Sequence, residues 1–315
     1  MGSVTRRRFL KDAAAAVTLA AAGALAPAPD VLAQQPPAAA EKQAVREYDV
    51  ALTLGGTKAS LHVIQKQGPK LVYFLPHYNE QPAPAATEAH VRTHGGIMVR
   101  LQHPTQERYI KFLGGSNGKT EYRVDPNRIF TENGIRDTTQ YSRESVWVPT
   151  GRAATRDTVK AFSDSVLSSI KPGQWDAIVA VHNNTAGGYG FKSYATGSSA
   201  YLAEDTFEGD PANPDNFFFV TWRSDFEALK AMKKFNVVLQ NNSAVAAGSR
   251  GDDGSLSVWA VQNGVKDAKG QVTPVRYVNV EVKDADKGKD IERYDRNLTI
   301  QQEMLQAAHT ILTRQ

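Results

Sequence analysis

Leu71-Val72-Tyr73-Phe74-Leu75-Pro76-His77-Tyr78-Asn79-Glu80 is the stretch on which the fold turns. Its first five residues form an apolar run too short for a helix, which reads as a buried strand. His77 and Glu80 follow three apart in a tight turn, so both side chains can reach one ion. A second apolar run, Ala177-Ile178-Val179-Ala180-Val181, ends at His182. In open α/β sheets, functional residues collect at the carboxyl ends of strands. Zinc in a hydrolytic site takes three protein ligands and leaves one position for water. His77, Glu80 and His182 make a candidate set of that kind. Taken alone, a His-x-x-Glu tetrad is weak evidence, and a surface turn with a solvated Glu is the commoner reading.

Outward from these two strands, the chain alternates strand and helix signals. Tyr48 to Ile64 has strand-like alternation broken by Gly55-Gly56, a hairpin pattern. Ala83 to Thr93 has helical composition and ends at Gly95-Gly96. Ile97 to Gln102 and Arg108 to Leu113 read as strands, and Asp125-Pro126-Asn127-Arg128 as a turn. Val159, Phe162, Val166 and Ile170 make one apolar helical stripe over Thr155 to Ile170, stopped by Lys171-Pro172-Gly173. A Gly- and Ser-rich loop from Thr185 to Ser199 follows the His182 strand. Phe217 to Trp222, Val237 to Leu239 and Tyr277 to Val282 are further strands. Ser224 is the expected cap of a helix from Asp225 to Phe235. Asp252-Asp253-Gly254 reads as a hairpin turn, and Ile291 to Leu312 as an amphipathic helix. This order predicts an α/β fold, a single domain from residue 46 to 315, with a mixed, largely parallel central sheet flanked by helices.

The N-terminus carries a separate signal. Thr5-Arg6-Arg7-Arg8-Phe9-Leu10-Lys11 resembles the twin-arginine export motif. An Ala-rich region and a small-x-small site, Val31-Leu32-Ala33, follow it. Residues 1–33 are therefore expected to be a cleaved signal peptide, and residues 34–45, rich in Pro, Ala and Gln, a disordered linker. Ala13 to Ala26 is too short and too weakly apolar to span ~30 Å of hydrocarbon comfortably, so no stable membrane span is expected after cleavage. The implied partner is the twin-arginine machinery, and the implied location is periplasmic or secreted. The net charge of +4 falls to +2 once the leader's four cations and two anions are set aside. No basic cluster beyond it suggests nucleic acid. The chain has no Cys, so its core must do without disulfide staples.

Four segments in order raise the zinc reading above chance. Leu71 to Glu80, continued by Gln81-Pro82-Ala83-Pro84-Ala85-Ala86, resembles the His-Gly-x-Glu-Thr-x-Pro segment of the succinylglutamate desuccinylase and aspartoacylase family, relatives of the zinc carboxypeptidases. Asp125-Pro126-Asn127-Arg128-Ile129-Phe130 is similar to that family's Asp-Leu-Asn-Arg-x-Phe segment, apart from Pro126. His182 ends a strand as the third zinc ligand does there. Val280-Glu281-Val282-Lys283-Asp284 looks like the Phe-Glu-Leu-Arg-Asp strand of zinc carboxypeptidases. Tyr78 and Asn183-Asn184 depart from the family pattern, and the stretch between His182 and Glu281 is longer than usual.

The resemblance implies a zinc carboxypeptidase-like fold and one Zn2+ held by His77, Glu80 and His182. It implies Glu281 as general base, and Arg128 with Asn127 gripping a substrate carboxylate, which a planar guanidinium matches bidentately. Arg123 is the candidate oxyanion donor. The implied activity is hydrolysis of an amide or peptide bond beside a carboxylate, in a small peptide or acylated amino acid. Another divalent ion could serve at the same ligands. Asn279 and Glu281 share a polar strand face opposite Val278, Val280 and Val282, a pattern that fits a wet edge as well as a pocket. The alternative function is a non-catalytic periplasmic binding protein on the same scaffold. His90, His94 and His103 read as ordinary surface histidines, and Phe217-Phe218-Phe219 as core strand. No Gly-x-Ser-x-Gly elbow or phosphate loop is present.

Overall fold

The hairpin at the start of the domain sets one edge of the main sheet. β1 (Arg46–Leu54) and β2 (Thr57–Lys66) pair antiparallel around Gly55 and Gly56, both with positive φ. A Cβ on Gly55 would lie 2.4 Å from the Leu113 carbonyl oxygen, so glycine is required there by space as well as by φ. The structure is a computed structural model that describes residues 44–114, 118–141, 152–171, 174–185, 187–246, 250–266 and 272–314. The leader over residues 1–33, nearly all of the linker, and Pro172-Gly173 lie outside the described residues.

β3 (Leu71–Leu75), α1 (Ala83–His94) and β4 (Gly96–Gln102) form a βαβ unit with its strands parallel. A small antiparallel sheet follows, β5 (Ile110–Gly114), β6 (Thr120–Val124) and β7 (Gln140–Tyr141), with α2 (Glu132–Thr138) between the last two. α3 (Arg152–Ile170) leads into β8 (Ala177–Asn184). Beyond it come α4 (Phe191–Ala195), β9 (Ala203–Phe207), β10 (Phe217–Val220), α5 (Arg223–Ala231) and β11 (Asn236–Gln240). The chain closes with α6 (Leu256–Gln262), the short pair β12 (Val265–Lys266) and β13 (Val272–Thr273), β14 (Tyr277–Lys283) and α7 (Ile291–Thr313). Residues 43–315 hold together as one compact unit. No helix among the described residues is long and apolar enough to cross a membrane.

The main sheet has nine strands in the order β1-β2-β4-β3-β8-β14-β10-β11-β9. Its central strands β4, β3, β8 and β14 run parallel, while β2 and β10 flank them antiparallel. The fold is thus a mixed α/β sheet with helices on both faces, as the alternation of elements implies. The carboxyl ends of β3, β8 and β14 lie side by side.

Strand alternation sorts side chains into two cores. Val179 and Val181 of β8, with Val278, Val280 and Val282 of β14, pack with α1, α5 and α7 on one face. Ile178, Ala180 and Tyr277 pack with the α3 stripe and with Leu256 and Ala260 of α6 on the other. His182 and Glu281 continue this second face beyond the last apolar residues.

Two local readings are corrected. Leu256 to Gln262 is a helix, so Asp252-Asp253-Gly254 leads into α6 instead of closing a hairpin; Leu256 and Ala260, four apart, share one core cluster. α5 begins at Arg223 with Trp222 at its N-cap and no side-chain cap, so Ser224 sits inside the first turn. Arg223 instead ties the helix start to β9 through Glu204 and Asp205, both at 2.6 Å.

Candidate metal centre and pocket

His77 stands two residues past the end of β3, and Glu80 follows before the chain enters α1. β8 brings His182 alongside, because Phe74 of β3 already pairs with Ala180. His77, Glu80 and His182 are buried, at 1%, 6% and 2% exposure, and a ligand atom of each lies within 4.8 Å of the others. Asn183 fixes the junction. Its backbone N–H donates to Glu80 Oε2 (3.0 Å), its Oδ1 accepts from the Ala83 N–H (2.9 Å), and its amide nitrogen donates to Gln301 Oε1 (2.9 Å).

Both imidazoles present Nδ1 to the same carboxylate: His77 Nδ1 is 2.5 Å from Glu80 Oε1, and His182 Nδ1 is 3.1 Å from Oε2. On the far side of its ring, His77 Nε2 is 2.9 Å from Asp125 Oδ1. Protonated on both nitrogens, the ring donates from Nδ1 to Glu80 and from Nε2 to Asp125; release of the Nδ1 proton would free that nitrogen for a cation while Asp125 keeps the ring oriented, the role a second carboxylate plays beside a metal-binding imidazole. Burial alone would lower the His77 pKa, but Glu80 and Asp125 outweigh it and bring it up to about 9. For Glu80, burial would raise the pKa, yet His77 and His182 hold it well below the usual carboxylate range. Asp125 is also held low, against its burial, by His77 and Arg108. Two nitrogen donors and a carboxylate converging in a dry site suit a divalent cation such as zinc.

Glu281 of β14 lies opposite His182 in the parallel register. Its Oε1 accepts from Asn279 Nδ2 at 3.0 Å, while Oε2 is buried with no hydrogen-bond partner. Burial pushes its pKa up. Asn279 and Glu281 line a partly open pocket of about 150 Å3, together with Glu80 and His182. Of the two environments their polar face fits, this is the pocket.

The arginines separate. Arg108, in the loop before β5, lines the pocket and donates to Glu80 Oε1 (3.1 Å) and Asp125 Oδ2 (3.3 Å). Asn127 and Arg128 also line it; Arg128 donates to Asp253, and the Asn127 N–H donates to Asp125 Oδ1 at 2.9 Å. Arg123 does not line it: its guanidinium lies 5.0 Å from the centre of the Tyr109 ring. β6 turns the Arg123 side chain towards Tyr109, and the loop before β5 brings Arg108 to the carboxylates.

Other sequence readings shift too. Phe217 and Phe219 are buried as expected of a core strand, yet they also line the pocket, with Tyr189 from the loop after β8 and Tyr194 of α4. His90 and His103 are buried, not surface histidines; only His94 of the three is exposed. Asp125, Arg108 and Asp253 were not singled out by sequence. Asp125 opens the Asp-Pro-Asn-Arg segment and had a visible signal, whereas Asp253 falls in a motif that reads only as a hairpin turn and Arg108 reads as the first residue of a strand that begins at Ile110.

No protein-family model matches the chain, and no curated protein matches it in sequence. Among solved structures it is similar to an aspartoacylase family protein from Mesorhizobium loti MAFF303099, at 12% identity and TM-score 0.31, over 84% of this chain and 68% of that one. It is similar to N-formylglutamate amidohydrolase from Ralstonia eutropha JMP134, at 13% identity and TM-score 0.32, over 77% and 94%. A succinylglutamate desuccinylase from Silicibacter sp. TM1040 matches at 12% identity and TM-score 0.31, over 84% and 69%.

Proposed function

We propose that this protein is an exported hydrolase of amide or peptide bonds that works with one divalent cation, zinc, at His77, Glu80 and His182. The observation that carries this reading is the convergence of three buried donors beside half-buried Glu281, whose Oε2 is buried and without a partner. A divalent ion in such a donor set polarises a carbonyl and lowers the pKa of water towards ~7.

The chain's own residues supply the rest. Glu281 Oε2 accepts a proton from the attacking water and delivers it to the leaving nitrogen, so that water adds OH to the carbonyl carbon and H to the amine. Burial raises its pKa, which makes it a stronger base than a free carboxylate. Arg108, already fixed by Glu80 and Asp125, offers its remaining N–H groups to the carbonyl oxygen as charge develops there. Arg128 and Asn127 hold the substrate's carboxylate. The pocket's mix of charged groups with Tyr189, Tyr194, Phe217 and Phe219 suits a small peptide or acylated amino acid. The Arg6-Arg7-Arg8 leader supports export by the twin-arginine route to the periplasm or beyond.

The test is a panel of acylated amino acids and dipeptides incubated with zinc-loaded protein. Hydrolysis that disappears in Glu281→Gln while bound zinc is retained upholds the reading. Stoichiometric zinc without hydrolysis of any member favours a binding protein instead.

A further inference from the structure

Arg128 is not a vacant cation. Its guanidinium is already in contact with the Asp253 carboxylate, and both residues line the pocket. Asp253 is a fixed part of that wall. Its Oδ1 accepts the Ser255 N–H at 3.0 Å, and neighbouring Asp252 accepts from Thr131 Oγ1 (2.6 Å), Asn133 Nδ2 (3.2 Å) and Gln262 Nε2 (2.9 Å). Gly254 has φ +79°, and a Cβ there would lie 2.3 Å from the Arg128 carbonyl oxygen and 2.4 Å from Gly134 Cα. The Phe130 N–H donates to the Gly254 carbonyl at 2.9 Å. The turn that presents Asp253 is therefore clamped to the segment that carries Arg128, and the two charges are built as a unit.

This unit decides what can bind. The charged side chains lining the pocket are Arg108 and Arg128 against Glu80, Asp253 and Glu281. Arg108 is engaged by Glu80 and Asp125, which leaves the Arg128–Asp253 pair as the polar end available to a ligand. A ligand bearing only a carboxylate would reach Arg128 with a second carboxylate beside it, a like-charge contact on the solvent-facing side of the pocket, where Asp253 is 41% exposed. A ligand carrying an ammonium next to its carboxylate turns that repulsion into attraction, because the four charges alternate. An α-amino acid has this layout: its two charged groups flank one carbon and stand about 3 Å apart, a spacing similar to that of two hydrogen-bonded groups. A second observation points the same way. Asn127 Oδ1 and Asn279 Oδ1 are buried acceptors without partners in the same pocket, and the Asn279 amide nitrogen is committed to Glu281. Unpaired acceptors call for donors; an ammonium brings three and a carboxylate none.

We propose that Arg128 and Asp253 together recognise an unblocked α-amino-acid head, with the carboxylate on Arg128 and the ammonium on Asp253. Asp253 is then the specificity-determining residue. Resting on the hydrolase reading, the substrate class is an amide formed on the side-chain amine of a diamino acid whose α-amine and α-carboxylate are both free.

The test is equilibrium binding of three probes to the zinc-loaded protein by calorimetry: L-alanine, N-acetyl-L-alanine without the ammonium, and L-alanine amide without the carboxylate. L-alanine is expected to bind at least tenfold more tightly than either analogue. In Asp253→Asn, which keeps an oxygen for the Ser255 N–H, the preference over N-acetyl-L-alanine is expected to fall to less than threefold. Direct chelation of the metal by alanine would survive that substitution, so the change in ratio reads Asp253 itself. N-acetyl-L-alanine binding as well as L-alanine, or a ratio unaltered in Asp253→Asn, overturns the proposal. A protein that shows the expected ratios yet hydrolyses no amide upholds the recognition and counts against the catalytic reading alone.

Discussion

His182 and Glu281 stand opposite each other on the adjacent parallel strands β8 and β14, one donating to the candidate metal centre and the other turning a free oxygen into the pocket. Backbone pairing therefore sets the distance between donor and base. Replacing Glu281 by Gln preserves the shape and removes only the ability to take a proton. Zinc content should stay at one per chain while kcat falls by about 10²- to 10⁴-fold. Because burial raises its pKa, and only the carboxylate form accepts a proton, wild-type activity should decline on acidification at a pH above ~4.3, where a free Glu titrates. A pH–rate profile measures both effects.

Arg108 and Arg123 should behave differently. Arg108→Gln removes a guanidinium that contacts Glu80 and Asp125 and faces the pocket. A loss of about 10²- to 10³-fold in kcat is expected, as for removal of an oxyanion donor. Arg123→Gln lies outside the pocket and should leave kcat within roughly threefold, the range of surface substitutions. Steady-state kinetics on the two variants decide between them.

Three imidazoles gather between α1 and α7, far from this chemistry. His90 lies 4.6 Å from His94 and 5.2 Å from His309, ring centre to ring centre, and its Nε2 is 3.0 Å from the Tyr73 hydroxyl. Burial first, then His94 and His309, push the His90 pKa down to about 3. The unfolded chain takes up this proton near pH ~6.5 while the folded chain does not, so stability is lost as pH falls from ~6.5 towards 3. The slope is about 1.4 kcal/mol per pH unit once the unfolded His is protonated. His90→Gln should show a shallower fall in urea midpoint between pH 7 and 4.5 than wild type. The difference between the two curves isolates His90 from the acid sensitivity of the metal centre.

Asp225, in the first turn of α5, is fully buried and takes several hydrogen bonds from Arg276, which also reaches the carbonyls of Ile311 and Leu312. The pair joins α5, the approach to β14 and the end of α7. Asp225→Ala leaves the guanidinium without its counter-charge and should cost about 3–5 kcal/mol. Chemical denaturation measures this, and zinc binding by the folded fraction should be unchanged.

Much of this arrangement was legible in the sequence, for a physical reason. Leu71 to Leu75 and Ala177 to Val181 are buried on both faces, so each appears as a short unbroken apolar run, and the first polar residues after each run must lie at the strand ends. That puts His77, Glu80 and His182 at or just beyond strand ends; that the two strands are neighbours is shown by their pairing. Leu256 to Gln262 was harder, because seven residues with apolar side chains on two sides satisfy neither period cleanly. The face of Glu281 was ambiguous for another reason. Period-2 alternation says that Asn279 and Glu281 share a side, but what covers that side comes from distant segments, among them Arg128 and Tyr194. Arg108 over Arg123 was a choice between loop residues whose direction depends on the small β5–β6–β7 sheet, which local sequence does not reveal. The export leader and its cleavage lie outside the described residues.

Anomalous diffraction from crystals soaked in zinc bears most directly on the claim that one cation organises this site. A single strong peak is predicted at ~2.0–2.2 Å from His77 Nδ1, His182 Nδ1 and the Glu80 carboxylate, and its loss is predicted in His182→Ala. Fully soaked crystals with no peak there, and with both imidazoles still hydrogen-bonded to Glu80, would contradict the account.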